Sequence, residues 1–232
     1  MNLSDYLTEL SYKELSNLSL SDSGSGTIKF EKIPFIVSCI NEALLRLYSK
    51  FMLKEGSLIV ELRKELSEYN LNSRHAYSSG YPDNKYIMDG DTPFIDDLIK
   101  ILEVYDGHGI HVPLNNASNS MSVFTPRPDV LQVPNPSLYG GILSLTYQAR
   151  HPVLDYQKRP YQPIELPDNL MGALSSYVAY SVYNCINTEE ATAAAQKYMQ
   201  MYVALVQETT EMDTIGTTIS QDNVRFSQNG WC

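Results

Sequence analysis

Residues 166–186, LPDNLMGALSSYVAYSVYNCI, and residues 188–205, TEEATAAAQKYMQMYVAL, decide the fold. In the first run Leu170, Leu174, Tyr177, Val178 and Val182 recur every three or four positions, the period of one helix face, which extends to about Ile186. Pro167 suits a first helical turn, and Asp168 behind it favours the positive end of the helix dipole. In the second run Thr188 reads as an N-cap, Glu189 and Glu190 complement the dipole, and Ala191, Ala194, Tyr198, Met201, Tyr202 and Leu205 form the apolar stripe. A turn of about two residues near Asn187 predicts an antiparallel hairpin. Small residues, Ala191 and Ala193 to Ala195, allow the two helices to approach closely.

Working outward, Phe35, Ile36, Cys39, Ile40, Ala43, Leu44, Leu47 and Phe51 carry the same period, predicting a helix over 32–53 that stops at Gly56. A shorter amphipathic start, Leu3 to Leu10, predicts a small docking helix, followed by a flexible loop over the turn-rich residues Ser21 to Gly26. Between the helical runs the character changes, with nine of the twelve prolines falling between Pro113 and Pro167. Short β-prone segments there predict strands at Leu58–Leu62, Glu68–Leu71, Leu98–Tyr105, Ser122–Thr125, Val130–Val133 and Ile142–Ala149. Leu143-Ser144-Leu145-Thr146-Tyr147 alternates with the period of two of a half-buried strand. The expected class is therefore α+β: an antiparallel helical core, one long N-terminal helix plus the C-terminal hairpin, with an antiparallel β-sheet module inserted. The expected units are 1–56 and 164–213 for the helical core, 57–163 for the β module, and 214–232 for an extended C-terminal arm.

The polar clusters carry no catalytic spacing. Asp106, His108 and His111 gather three candidate metal ligands within six residues, but Asp106-Gly107-His108-Gly109 is sufficiently explained as a tight turn of a hairpin. Asp89-Gly90-Asp91 with Asp96-Asp97 resembles a calcium loop only superficially, lacking its ligand spacing and terminal Glu; N-capping of a short helix over Thr92–Asp97 is the expected role. Ser23-Gly24, Ser25-Gly26 and Ser79-Gly80 match neither a nucleophile elbow nor a phosphate loop, and His75 and His151 stand alone. No catalytic residue, cofactor or metal is expected. The tyrosines of the hairpin, Tyr177, Tyr180, Tyr183, Tyr198 and Tyr202, suit half-buried core positions or faces toward neighbouring subunits.

Charged residues are only 19% of the 232, so uncharged polar groups dominate the surface, which suits protein partners. A net charge of −10 opposes a grip on nucleic acid, whose affinity comes largely from Lys and Arg on phosphates. Cys39, Cys185 and Cys232 lack metal or redox spacing, and Cys39 and Cys185 fall in apolar helical patterns, so a reducing cytoplasm is expected. Asp5 and Glu9 near the start argue against a signal peptide, and no apolar run approaches the roughly 20 residues of a membrane span. The tail, Thr214 to Cys232, has no period but carries Val224, Phe226 and Trp231, the pattern of a segment that orders against a partner.

In order along the chain, Leu3-Ser4-Asp5-Tyr6-Leu7, Glu14 to Leu18, Ile40-Asn41-Glu42-Ala43-Leu44 with Leu47-Tyr48, Pro93 to Val104, Leu166 to Tyr180, and Arg225-Phe226 with Gly230-Trp231 resemble the head-to-tail adaptor (connector) proteins of short-tailed, podovirus-like bacteriophages. The resemblance spans nearly the whole chain and lies in the order of the motifs. It implies a virion protein at the head-to-tail interface, made in the host cytoplasm. It further implies a ring of copies, commonly a dodecamer, beneath the portal protein, presenting a surface to tail or nozzle proteins around a channel through which DNA passes as cargo. The arm residues Val224, Arg225, Phe226, Gly230 and Trp231 would then bind the portal. Two other readings fit the same features, a tail-tube or nozzle subunit and a small metal-dependent hydrolase using Asp106, His108 and His111.

Overall fold

The computed structural model describes residues 1–16, 18, 28–89 and 93–212. The fold is α+β. Helix α1, Leu3–Tyr12, starts where the Asn2 side chain accepts the Asp5 N–H at 2.9 Å, and buries Leu3, Tyr6, Leu7 and Leu10, spaced at three and four. Helix α2, Ile33–Lys50, carries Pro34 in its first turn, where a missing N–H costs nothing, and is preceded by the 3₁₀ turn Phe30–Lys32. It stops because Phe51 turns extended, its N–H still bonded to Leu47 O at 2.8 Å.

The chain then enters β1, Glu55–Glu61, so Gly56 is a strand residue and not the expected helix stop. A Cβ there would lie 2.3 Å from Cζ of Tyr147, so the glycine makes room for a ring on the neighbouring strand. The strands β2 (Glu68–Asn70), β4 (Leu98–Asp106), β5 (Phe124–Arg127), β6 (Val130–Gln132) and β7 (Ile142–Ala149) lie at or within a few residues of their expected places, and β3 (Ile87–Met88) adds a two-residue edge that no pattern marked. They form two antiparallel sheets, β3-β1-β7-β4 and β2-β6-β5. In β7 Leu143, Leu145 and Tyr147 are buried, as the alternation predicted.

Helices α3, Asp168–Asn184, and α4, Glu189–Glu211, make the predicted hairpin, and Thr188 Oγ1 accepts the Ala191 N–H at 3.2 Å as its N-cap. Two details differ from the pattern. Cys185 ends α3 exposed, whereas Cys39 is buried and its thiol is pushed up to about 11 by that burial. On α4 Met201 faces outward, and the buried stripe is Ala191, Ala195, Val206 and Thr209.

Residues 93–97 form no helix. Asp96 sits at φ 58°, a left-handed conformation that breaks a helix, and its carboxylate instead accepts the Ser73 N–H at 2.5 Å and hydroxyl at 2.6 Å. Asp89 does the same for Ser78, at 2.7 and 2.9 Å, so these acids tie loops across the module. The expected loop at Ser21 to Gly26, together with Gly90 and Asp91, lies outside the described residues.

Buried apolar residues fall into two clusters. One joins α1, α2, α3 and α4 with Leu154 and Ile164; the other lies wholly between Leu58 and Ala149. Gln148 of β7 connects them, donating from Nε2 to Phe51 O at 3.1 Å and to Tyr48 O at the end of α2.

Candidate protein interface

Residues 150–164 run as a strap without regular structure from β7 to the approach of α3, and several side chains fasten them to the helical core. Asn41 of α2 uses its amide like a strand partner: Nδ2 donates to Leu154 O at 3.0 Å, and Oδ1 accepts the Leu154 N–H at 2.9 Å. Leu154 is thereby turned inward and buried. His151 is also buried, its ring edge-on to Tyr48 at 5.5 Å. Its Nε2 accepts the Glu165 N–H at 3.0 Å and its Nδ1 lies 2.6 Å from Pro152 O, a pattern that assigns the single proton to Nδ1. Burial holds this imidazole below the ordinary histidine range, in the neutral form the bonds require. Farther on, Asp155 accepts the N–H of Gln157 at 3.1 Å and of Lys158 at 3.3 Å, and the strap's end binds α1 through Leu3 N to Gln162 O at 2.9 Å.

These bonds use the strap's polar groups inward and leave Val153 facing out, 57% exposed, opposite Phe30 at 68% and Leu45 at 44%. Between α2 and the strap lies an open groove in two adjoining parts of about 390 and 310 Å³, which share Ser38, Asn41 and Val153. Its first part is lined by Phe30, Ile33, Pro34 and Val37, and its second by Leu44, Leu45, Arg150 and His151. About half of the lining is apolar, and Ser38, Asn41, Glu42, Arg150, His151 and Asp155 make up most of the rest.

The tyrosines of the hairpin pack internally. Tyr177 and Tyr183 are buried; Tyr177 meets Tyr202 at 5.1 Å and donates to Glu42 at 2.6 Å, and Tyr183 stacks on Tyr198 at 5.6 Å. Both hydroxyls of that second pair reach Glu14 O at 3.2 Å, so they answer needs of the core.

The other sequence candidates separate. Asp106 accepts the N–H groups of His108 and Ile110, each at 2.9 Å, and those bonds hold its carboxyl below the usual range. Gly109 takes φ 79°, Val112 N returns to Val104 O at 2.8 Å, and His111 lies edge-on to Tyr105, which makes this the turn of a short hairpin. Among the described residues no group of three or more His, Cys, Asp and Glu is placed to hold a metal ion. Val224, Arg225, Phe226, Gly230 and Trp231 lie outside the described residues. The groove escaped sequence reading because its walls come from distant stretches and the strap has no period; a Pro-flanked Val153 was its only local sign. Comparison of the chain with protein-family models and with characterised proteins found no match.

Proposed function

We propose that this chain is a non-catalytic virion subunit, a head-to-tail adaptor of a short-tailed bacteriophage that assembles as a ring beneath the portal. The observation that carries the reading is the half-apolar groove left open beside α2 on the helical core. The order of helix, inserted sheet and helical hairpin supports it, since the resembling adaptors share that order. The net charge of −10 supports it as well, because an acidic ring lets DNA pass without holding it. In this reading residues 214–232 bind the portal through Val224, Arg225, Phe226, Gly230 and Trp231, and the ring presents its far surface to tail or nozzle proteins.

The test is the solution mass of the chain alone and mixed with its phage's portal protein. A large stoichiometric complex is expected in the mixture, and deletion of 214–232 abolishes it while circular dichroism keeps the helical signal. No complex with the full chain refutes the reading; an undiminished complex with the deleted one refutes the role of the arm.

A further inference from the structure

We infer that the far tip of the β module, where Ile110, Leu138 and Ile142 stand out of an uncharged surface, is the contact that several copies of this chain together offer to an apolar surface of a tail or nozzle protein. The inference rests on the ring reading above and supplies the surface that the ring turns to the tail.

Three loops converge at that tip. β7 starts there and runs about 24 Å to its other end, where Gln148 grips the helical core. Its register sets Ile142 against Glu61 at the end of β1, and Leu143 against Asp106 at the end of β4. Gly107 donates to Tyr139 O at 3.1 Å, which ties the turn after β4 to the loop before β7. The two are packed side by side, since a Cβ on Gly107 would come within 3.1 Å of Ile142 Cγ1, and one on Gly140 within 3.2 Å of His108 Nε2. The third loop joins where buried Tyr139 donates its hydroxyl to Met121 O at 3.1 Å.

Apolar side chains at this place face water: Ile110 is 64% exposed, Leu138 48%, Met121 40% and Ile142 36%. No charge interrupts them. From Gly107 to Pro126, and again from Val130 to Ala149, there is no Asp, Glu, Lys or Arg, in a chain of which 19% is charged. Exposed loops ordinarily carry such residues. The charges that bound the tip are directed elsewhere: Asp106 accepts the turn's own N–H groups, Glu61 accepts the Tyr77 hydroxyl, and Arg63 donates to Lys85 O. Exposed apolar residues without charge, with uncharged Asn116 and Ser118 exposed on the Met121 loop, have the composition of an interface centre and its polar rim.

The tip is also stiff. Ile110 is held through its N–H to Asp106 at 2.9 Å and Leu138 through its N–H to Asn135 O at 3.1 Å, so little freedom is lost on docking. Protein fits this surface better than lipid. A loop entering a bilayer would strip water from Asn116, Ser118 and the exposed glycine backbone, and the tip has no Lys or Arg for headgroups; a protein partner can bond those groups. Size then sets the mode of binding. Four side chains, none more than 64% exposed, fall short of the roughly 800 Å² that each partner buries in a stable two-chain interface. One tip therefore binds weakly, and a ring of tips binds through their number.

The test uses full-length chains assembled into rings on their phage's portal and mixed with the nozzle protein of the same phage, with complexes read by mass photometry. Ile110→Glu and Leu138→Glu rings are expected to form like the parent ring and to hold the nozzle at least about a hundredfold more weakly. Ile95→Glu, the same kind of change at an exposed residue just before β4 at the opposite end of the sheet, is expected to hold it like the parent. Tip variants that hold the nozzle like the parent, an Ile95→Glu ring that loses it equally, or a parent ring that does not hold it at all overturns the inference. A free parent chain that binds the nozzle as tightly as the ring does so too. Parent chain that sediments with vesicles of phosphatidylethanolamine and phosphatidylglycerol, and Ile110→Glu that does not, would assign the tip to lipid and overturn the protein partner. Each of these outcomes leaves the portal ring standing, whereas no ring on the portal refutes the adaptor reading and this inference with it.

Discussion

The β module is one continuous run, Glu55 to Ala149, whereas the helical core is built from two runs that meet across it, residues 3–53 and 154–206. Their surfaces differ as much as their connectivity. In the β module exposed rings find partners at home: the Tyr77 hydroxyl donates to Glu61, and Tyr81 lies 5.2 Å from the Arg74 guanidinium. Its long edge strand β4 is bulged between Leu98 and Lys100 and again between Ile101 and Glu103, with Lys100 exposed, devices that spoil an edge for pairing with another chain. Apolar side chains nevertheless stay exposed in both regions, Phe30, Val153 and Val203 in the helical core and Ile95, Ile110 and Leu138 in the β module. The contrast teaches that what is guarded in the β module is the backbone edge of its sheet, a liability that helices do not have.

Connectivity predicts the largest effect. Leu44 in α2 and Leu145 in β7 are both fully buried, and truncating either to Ala costs about 2–5 kcal/mol in lost transfer energy and cavity. The consequences are unequal. Leu44→Ala is expected to lower the unfolding midpoint of the helical signal while β-module amides stay protected from hydrogen exchange. Leu145→Ala is expected to lower both, because the two helical runs are brought together by the folded module and gripped by Gln148. Equal shifts of both signals in both variants would break the comparison.

A smaller effect sharpens it inside the β module. Gly56→Ala places a methyl 2.3 Å from Tyr147, whose hydroxyl is fixed to Asp97 at 2.9 Å, and overpacking of this kind costs about 1–3 kcal/mol. Paired with Tyr147→Leu the loss should be less than the sum of the single changes; strict additivity in chemical denaturation would show that the ring is not what demands the glycine.

Gly56 also marks the boundary of what was legible. A glycine after an apolar helical run reads as a stop, and only the ring of Tyr147, distant in sequence, reveals its strand role. Helix periods, the Thr188 cap and the alternation of β7 were readable because their causes are local. Asp89 and Asp96 were misread because their partners, Ser78 and Ser73, are set by tertiary folding. The groove was invisible for the same reason, since neither Asn41 nor Leu154 announces the other.

The smallest effect concerns the seam between the regions. His151 is buried beside Tyr48, with Glu165 favouring and Lys54 opposing its protonation, and burial outweighs both so that its folded-state pKa lies below 6.5. The unfolded chain thus binds this proton more readily, and stability from the site is complete above about pH 6.5 and declines as pH falls from there toward the folded-state value. A proton on Nε2 would also displace the Glu165 N–H it now accepts, loosening the strap that forms one wall of the groove. Denaturation midpoints measured between pH 7.5 and 5.5 (about one unit either side of the ordinary histidine value) should fall for the parent chain and fall less for His151→Gln. The carboxylates held low, among them Asp89 and Asp155, titrate beneath this window and do not mimic it. Parallel profiles for the two proteins would remove His151 from the account and leave the strap held by Asn41 and by the Gln162 bond to α1.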